Sequence, residues 1–265
     1  MIKKLGFIVA LCSSFLFFSP FVKAAEIQEL TADELDYLYN ELGFTEAQVN
    51  SLPASHLKDF VAGKAEVVSS FDEVYSFDEN VVSTLAAIPS GDLSFSGNVL
   101  KINTSDVSGY NKFYAFANFR WLTHPAFNLT DKITIGFPSN LGVYFKTSNG
   151  NIVGHYSSTS MYNKSTGGST QLASSTTPDK WQVGAGVASA HDLRTTLNAS
   201  QFNEGTISQY FYIQTGLSGK GNAQFEYGHN RVVGSIGISI GSSVGLSITP
   251  SSTTDIRSYA ASFNY

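Results

Sequence analysis

Residues 111–121 read Asn-Lys-Phe-Tyr-Ala-Phe-Ala-Asn-Phe-Arg-Trp, and this stretch decides the fold class. One set of alternate positions is apolar throughout: Phe113, Ala115, Ala117, Phe119 and Trp121. The positions between them are Tyr114, Phe116, Asn118 and Arg120. A period of two is the pattern of a β-strand, and a strand that is apolar on one face and partly apolar on the other is typical of a sheet interior. We therefore predict a central strand here.

Further strand candidates lie on both sides of this stretch. They are 93–102, 131–137, 141–147, 151–157, 207–217, 222–228 and 255–265, with turn sequences such as 138–140, 148–150 and 219–221 between them. Many short strands at this spacing predict a mainly β protein, with an antiparallel β-sandwich over residues 93–265. Twelve of the 21 residues from 157 to 177 are Ser or Thr. This composition predicts a long loop or a mobile edge.

The region before the sandwich has the start signals of short helices. Thr31 with Glu34, and Thr45 with Gln48, both have the spacing of a capping box. Gly43 is placed to end the first helix. These signals predict a small segment of two or three helices over residues 25–65, joined to the sandwich by a connector over residues 66–92.

Charge divides the chain into two regions. Residues 26–79 hold thirteen Asp or Glu against Lys58 and Lys64, a net charge of -11, whereas residues 80–265 hold eight acids and eleven Lys or Arg, a net charge of +3. The first 25 residues add +3, which gives the total of -5. This balance predicts that the acidic helices dock on the β domain or form a removable pro-segment. It also excludes the basic surface that nucleic-acid binding requires.

A repeated Phe-Asp-Glu triplet stands in the connector, at residues 71–73 and 77–79. We interpret it as a solvated acidic edge. The alternatives are a divalent-cation site or an acidic docking strip, although the chain has no calcium loop of the Asp-x-Asp-x-Asp-Gly kind.

The first residues have the pattern of a signal peptide. Lys3 and Lys4 precede an apolar run over residues 5–22, and small residues precede a cleavage point after Ala24. An uncleaved membrane anchor is the alternative. Cleavage would remove Cys12, the only cysteine, and leave a secreted, extracellular chain without disulfides. Such a chain is more typical of a Gram-positive bacterium than of a eukaryotic secretory pathway.

The sequence contains no motif for a catalytic, cofactor or metal site. The histidines have no metal-ligand spacing, and there is neither a phosphate-binding loop nor a dinucleotide fingerprint. Two Gly-x-Ser-x-Gly matches, at 237–241 and 241–245, lack the helix that a nucleophile elbow needs. We therefore predict no catalytic, cofactor-binding or metal-binding residue. An extracellular hydrolase is an alternative only if His191, Asp192 and a third polar residue converge.

A two-faced hairpin is predicted over residues 234–254. Its even positions are aliphatic from 236 to 248 apart from Ser242, and its odd positions are Gly or Ser. A three-residue loop around Ser242 would match the aliphatic faces by pairing 240 with 244 and 238 with 246. We interpret this as an ordinary sandwich hairpin. The alternative is a β-pore-forming or membrane-active toxin that uses this hairpin.

Tyrosines are spread over the β region, and exposed tyrosines can stack on sugar rings or anchor a protein partner. The candidate partner-binding aromatics are Tyr110, Tyr114, Tyr210 and Tyr212. The favoured function is therefore a secreted, non-enzymatic binding or interaction protein whose partner is an extracellular protein or a glycan.

Two stretches resemble segments of uncharacterised secreted proteins of Bacillus-type Gram-positive bacteria. The first runs from Leu42 to Pro53 and continues into Leu57-Lys-Asp-Phe60. The second is Phe119-Arg-Trp-Leu-Thr-His-Pro125, followed by 128–131 and 135–137. Together they cover about a fifth of the chain. The resemblance implies secretion from such a bacterium and brings no activity and no catalytic residues.

Overall fold

The structure is a computed structural model that describes residues 29–74, 91–195 and 198–265. The predicted fold class is confirmed: the protein is mainly β, its sheets are antiparallel, and a short helical segment precedes the sandwich. The predicted signal peptide and the second Phe-Asp-Glu triplet lie outside the described residues.

The helical segment begins and ends where its capping signals predict. Helix α1 (Ala32–Asp36) continues as a π-helical turn (Tyr37–Glu41), and it is followed by α2 (Glu46–Ser51) and α3 (Ala54–Ala62). Thr31 and Thr45 both form complete capping boxes with the residue three positions later. Gly43 ends the first helical stretch with a φ of 68°, a conformation that glycine adopts without strain.

Fifteen strands are described. They are β1 (Glu66–Val74), β2 (Leu93–Ile102), β3 (Tyr110–Trp121), β4 (Thr130–Gly136), β5 (Thr147–Ser148), β6 (Asn151–Ile152), β7 (His155–Asn163), β8 (Gly168–Ser175), β9 (Lys180–Gln182), β10 (Gly186–Asp192), β11 (Gln201–Gln214), β12 (Lys220–Asn230), β13 (Ile238–Gly241), β14 (Gly245–Ile248) and β15 (Thr254–Asn264). Sheet 1 has the order β1-β2-β3-β11-β7-β8, and sheet 2 has the order β15-β12-β4-β10-β9. β5 pairs with β6, and β13 pairs with β14.

The prediction that residues 111–121 form a central strand is confirmed, because β3 lies between β2 and β11 inside sheet 1. Its apolar face, which includes Phe113 and Phe119, is buried in the core between the two sheets. Ile133 and Phe225 of sheet 2 belong to the same core. At one margin the two sheets meet through Phe71 of β1 and Tyr259 of β15, whose rings stack at 4.3 Å. Burial of this large apolar surface supplies the main stabilisation of the sandwich.

A second apolar cluster joins the helices to the outer face of sheet 1. Leu38, Phe44 and Phe60 of the helical segment are buried against Tyr114 and Phe116 of β3. This explains why β3 needs large side chains on both faces: one face meets sheet 2 and the other meets the helices. The prediction that the acidic helices dock on the β domain is confirmed.

Three stretches differ from their prediction. Residues 141–147 were expected as a strand, but Gly142 adopts a left-handed conformation with a φ of 64°, and only a bridge between Tyr144 and Tyr212 and the start of β5 are present. Residues 157–177 were expected as a loop, but most of them form the β7–β8 hairpin, because Ser and Thr side chains fit a strand wherever the backbone finds a partner. Residues 66–74, inside the expected connector, form β1 and pair with β2.

The hairpin of residues 234–254 turns through three residues, 242–244, which is one position later than the predicted loop around Ser242. The predicted pairs are therefore wrong by two residues: Ile240 pairs with Leu246 and Ile238 with Ile248, although the aliphatic positions still match. Gly245, with a φ of 74°, supplies the left-handed position that closes the loop there. Leu246 and Ile248 are buried, and the backbone N–H of Leu246 donates to the carbonyl oxygen of Ala185 at 2.8 Å. The aliphatic residues of β14 therefore pack against sheet 2, whereas Ile240 of β13 is 51% exposed. β13 and β14 have four residues each, whereas a membrane-spanning strand needs about nine to eleven.

Candidate functional site

A groove of about 700 Å³ lies on the outer face of sheet 1, beside the helical segment. The helices cover only part of this face, and the uncovered part forms the floor of the groove. Its floor consists of outward-facing polar side chains from four adjacent strands: Ser94, Ser96, Asn98, Asn118, Arg120, Glu204, Thr206, Ser158, Ser160 and Tyr162. Residues 42–51, which end in α2, form the wall. The alternation of side chains along each strand thus places hydroxyl and amide groups together in one concavity.

The amide of Asn118 lies where the wall meets the floor. Its Oδ1 accepts a hydrogen bond from Thr206 Oγ1 at 2.5 Å and lies 3.1 Å from Ser51 Oγ. Its Nδ2 is buried and has no hydrogen-bond partner among the described residues. Asn50 Oδ1, on the wall, is also buried without a partner there. Buried polar atoms are nearly always hydrogen-bonded, so this donor and this acceptor are two polar positions at the edge of the groove that the described residues leave unpaired.

A rigid charged pair lies on the same floor. Arg120 of β3 and Glu204 of β11 are directly opposite in the ladder, and their side chains make contacts of 2.7 and 2.9 Å to one carboxylate oxygen. The Arg120 guanidinium also lies 3.7 Å from the ring centroid of Tyr162, which is a close cation–π contact. Glu46 and Asp72 are the other charged lining residues, so one cation stands against three carboxylates and the net charge is -2. The groove therefore disfavours an anionic ligand.

A buried ion-pair network keeps the helical segment on the sheet. Lys112 of β3 is almost fully buried and contacts Asp59 of α3 at 2.9 Å and Asp106 at 3.5 Å. Asp106 also contacts Lys146 at 2.6 Å and accepts a hydrogen bond from Tyr212 at 2.8 Å. Burial acts to raise the pKa of Asp106, but these hydrogen bonds and the nearby cations hold it well below its usual value. Because α3 is fixed in this way, the groove wall formed by the preceding helix is fixed with it.

The sequence-predicted tyrosines lie outside the groove lining. Tyr114, Tyr210 and Tyr212 are buried near the helices, where the Tyr114 hydroxyl lies 2.9 Å from Nδ1 of His56. Burial raises the pKa of all three phenols. Tyr110 is half-buried beside Tyr144. The structure thus shows three of them contacting the protein itself, and their partner-binding role stays a prediction.

Sequence reasoning missed the residues that do line the groove. Asn118 and Arg120 are polar residues on the outward face of residues 111–121. Their polarity was a signal that the helices do not cover this part of the outer face of sheet 1. Tyr162 and the serines of β7 lie in the stretch that was predicted as a loop. That Ser158, Ser160 and Tyr162 share one face can be recognised only once β7 is known to be a strand.

The residues proposed for the hydrolase alternative do not converge. His191 is buried between the sheets, with Nδ1 3.1 Å from Thr159 Oγ1. The neighbouring Asp192 is exposed and accepts a hydrogen bond from Thr130 at 2.5 Å. In residues 29–74, 91–195 and 198–265, no three His, Cys, Asp or Glu side chains are grouped so that they could hold a metal ion.

Two buried histidines link β7 of sheet 1 to β10 of sheet 2. His155 Nε2 lies 2.9 Å from Ser189 Oγ, and His191 contacts Thr159. Burial lowers the pKa of His155 to about 3 and that of His191 to about 4. Both side chains are therefore neutral near pH 7, and they act as structural hydrogen-bonding groups at the margin of the core.

A further buried network lies where β4 begins. Asp131 is fully buried and accepts hydrogen bonds from the Tyr227 hydroxyl, from His229 Nδ1 at 3.0 Å and from the backbone N–H of Asn230 at 3.1 Å. The last contact joins the Asp131 side chain to the backbone at the end of β12. Burial raises the pKa of Asp131 against the opposing effect of these donors. The network ties the ends of β4 and β12 together.

Comparisons with known proteins do not assign the chain to a family. No family model matches it, and no curated protein matches it. Among solved structures, it is similar to the NetB toxin of Clostridium perfringens in its membrane-inserted form, with 9% sequence identity and a TM-score of 0.32. The match covers 76% of this chain and 97% of that chain. At this identity and score the likeness carries no inference about function. Within the described ranges, no helix is long and apolar enough to cross a membrane.

Proposed function

We propose that the protein is an exported, non-enzymatic binding protein that holds an uncharged, hydroxyl-rich ligand, a saccharide chain, in the groove on sheet 1. The observation that carries the proposal is the unpaired amide nitrogen of Asn118 beside a groove whose floor carries the hydroxyl groups of several Ser and Thr side chains. Export is supported by the signal-peptide pattern of residues 1–24, and the resemblance to secreted Bacillus-type proteins supports a Gram-positive source.

The chemistry of the lining favours a saccharide over other ligands. Sugar hydroxyls donate and accept hydrogen bonds, as do Ser and Thr hydroxyls, and an amide such as that of Asn118 offers both functions at fixed positions. Exposed apolar side chains of the lining, among them Val67 and Leu122, suit the C–H faces of sugar rings. Arg120 is paired with Glu204, so the described residues of the groove lining offer no unpaired cation that could bind a phosphate or carboxylate group.

Glycan-array screening of the exported protein, followed by calorimetric titration of the best ligand, tests the proposal. We expect Tyr162→Ala to weaken binding about 10- to 100-fold, because the ring and its Arg120 contact organise the floor. Tyr144→Ala is the matched control, since this half-buried tyrosine lies outside the lining, and it should leave the affinity unchanged. The proposal fails if no glycan binds, or if Tyr144→Ala is as damaging as Tyr162→Ala.

A further inference from the structure

Two loops at one end of the sandwich expose apolar side chains that no described part of the chain covers. Residues 122–129 connect β3 to β4, and residues 231–237 follow β12. Val233 is 92% exposed and is the most exposed of the large hydrophobic residues described. Val232 is 48% exposed and Phe127 is 47% exposed. We call Phe127, Val232 and Val233 the apolar tip.

Strand register places the two loops side by side. β4 and β12 are neighbours in sheet 2, and the backbone N–H of Asn230, at the end of β12, donates to Asp131 at the start of β4. Trp121, at the end of β3, lies 4.9 Å from the His229 ring, centroid to centroid. The loops thus leave the sandwich from adjacent points and project from the same end.

We propose that the apolar tip docks the protein on a lipid bilayer by inserting these three side chains into the interface between headgroups and acyl chains. Apolar residues at the ends of projecting loops suit a soft, deformable surface such as the interface of a bilayer. The three side chains of the apolar tip together expose on the order of a few hundred Å² of apolar surface. A stable protein–protein interface buries roughly 800 Å² on each partner, so the tip is too small for such an interface.

The cation at the start of the 231–237 loop is paired within the protein, which favours apolar insertion over attraction to anionic lipid. Arg231 contacts Asp255 at 3.2 Å and donates to the backbone oxygen of Ser252 at 2.6 Å. The tip therefore needs no anionic headgroup as a counter-charge, and a zwitterionic bilayer should be sufficient.

Co-sedimentation of the exported protein with sucrose-loaded phosphatidylcholine vesicles tests this inference. We expect Val233→Asp to reduce the bound fraction about tenfold, because a charge near the acyl chains is costly. Leu217→Asp is the matched control: Leu217 is 50% exposed in the β11–β12 turn at the opposite end, and its variant should bind as the wild type does. All variants carry the same N-terminus, so any lipid affinity of residues 1–24 cancels in the comparison.

A spectroscopic variant reports insertion directly and does not depend on loss of binding. The fluorescence of Val233→Trp should shift to the blue on addition of these vesicles, whereas that of Leu217→Trp should not shift. The proposal is overturned if wild-type protein does not sediment with phosphatidylcholine, if Val233→Asp binds like Leu217→Asp, or if binding requires anionic lipid and disappears in high salt. Glycan binding is measured without vesicles, so either proposal can fail alone.

Discussion

Acidification should destabilise the protein through His155 and His191, the two buried histidines that join β7 to β10. Each is about 1% exposed, and burial lowers the pKa to about 3 and about 4, respectively. In the unfolded chain both would titrate near pH 6.5. Because the folded pKa lies below the unfolded one, the unfolded state takes up protons first as the pH falls. This contribution to stability is therefore complete above about pH 6.5 and is lost as the pH falls towards the folded values.

The size of the effect follows from these values. When the pH falls from about 7 to about 5, protonation stabilises each histidine of the unfolded chain by about 1.8 kcal/mol more than the same histidine in the folded protein. The two histidines together therefore lower the free energy of unfolding by roughly 3–4 kcal/mol over this interval. A domain has only about 5–15 kcal/mol in total, so the loss is large. Asp131, Glu226 and Asp255 oppose it, because burial raises their pKa values and their protonation on acidification favours the folded state.

A comparison of variants isolates the contribution of the histidines from that of the carboxylates. The measurement is urea unfolding at about pH 7 and about pH 5, followed by tryptophan fluorescence. Between these two pH values, the free energy of unfolding of the double variant His155→Gln/His191→Gln should fall by roughly 3–4 kcal/mol less than that of the wild type. His124→Gln removes an exposed histidine and should behave as the wild type does. If the double variant shows the same loss as the wild type, these side chains are not the buried neutral groups described above.

Two further substitutions test how the helical segment is held on sheet 1. Phe60→Ala leaves a cavity at a fully buried site between α3 and β3. It should lower the free energy of unfolding, measured in urea at neutral pH, by about 3–5 kcal/mol. A loss below about 1 kcal/mol would contradict tight docking. Lys112→Ala leaves Asp59 without its cation and should cost about 3 kcal/mol of unfolding free energy, whereas replacement of the exposed Lys164 by Ala should cost less than about 0.5 kcal/mol. Equal losses would show that the buried network contributes nothing specific.

Local patterns predicted the elements whose signals lie within a few residues. The capping boxes at Thr31 and Thr45 and the central strand at 111–121 were predictable because hydrogen bonding over three residues and alternation over two are local properties. The β7–β8 hairpin was not predictable, because Ser and Thr do not show a hydrophobic period. β7 exists because β11 supplies backbone partners that lie between 38 and 54 residues away in sequence, and β8 then pairs with β7.

The groove was harder to predict from the sequence than the β7–β8 hairpin. Its position depends on which part of the outer face of sheet 1 the helices cover. The alternation in 111–121 indicated that Asn118 and Arg120 face away from the core. No local pattern indicated that Glu204, Thr206 and Tyr162, from distant parts of the chain, would lie beside them. The same limitation explains the tyrosine prediction: a tyrosine such as Tyr210 has the same local sequence pattern whether a helix covers it or solvent does.

The groove takes its floor from the β domain and its wall from the acidic helical segment, and this has a consequence for proteolysis. A ligand that touches both Asn118 and the wall holds the two parts together, so by thermodynamic linkage its binding free energy also opposes release of the segment. Occupied protein should therefore resist cleavage between α3 and β1 longer than empty protein does. Conversely, a protease that cuts there and frees the helices would remove one side of the groove. If the segment is a pro-segment, its removal would then end ligand binding at this site rather than activate it.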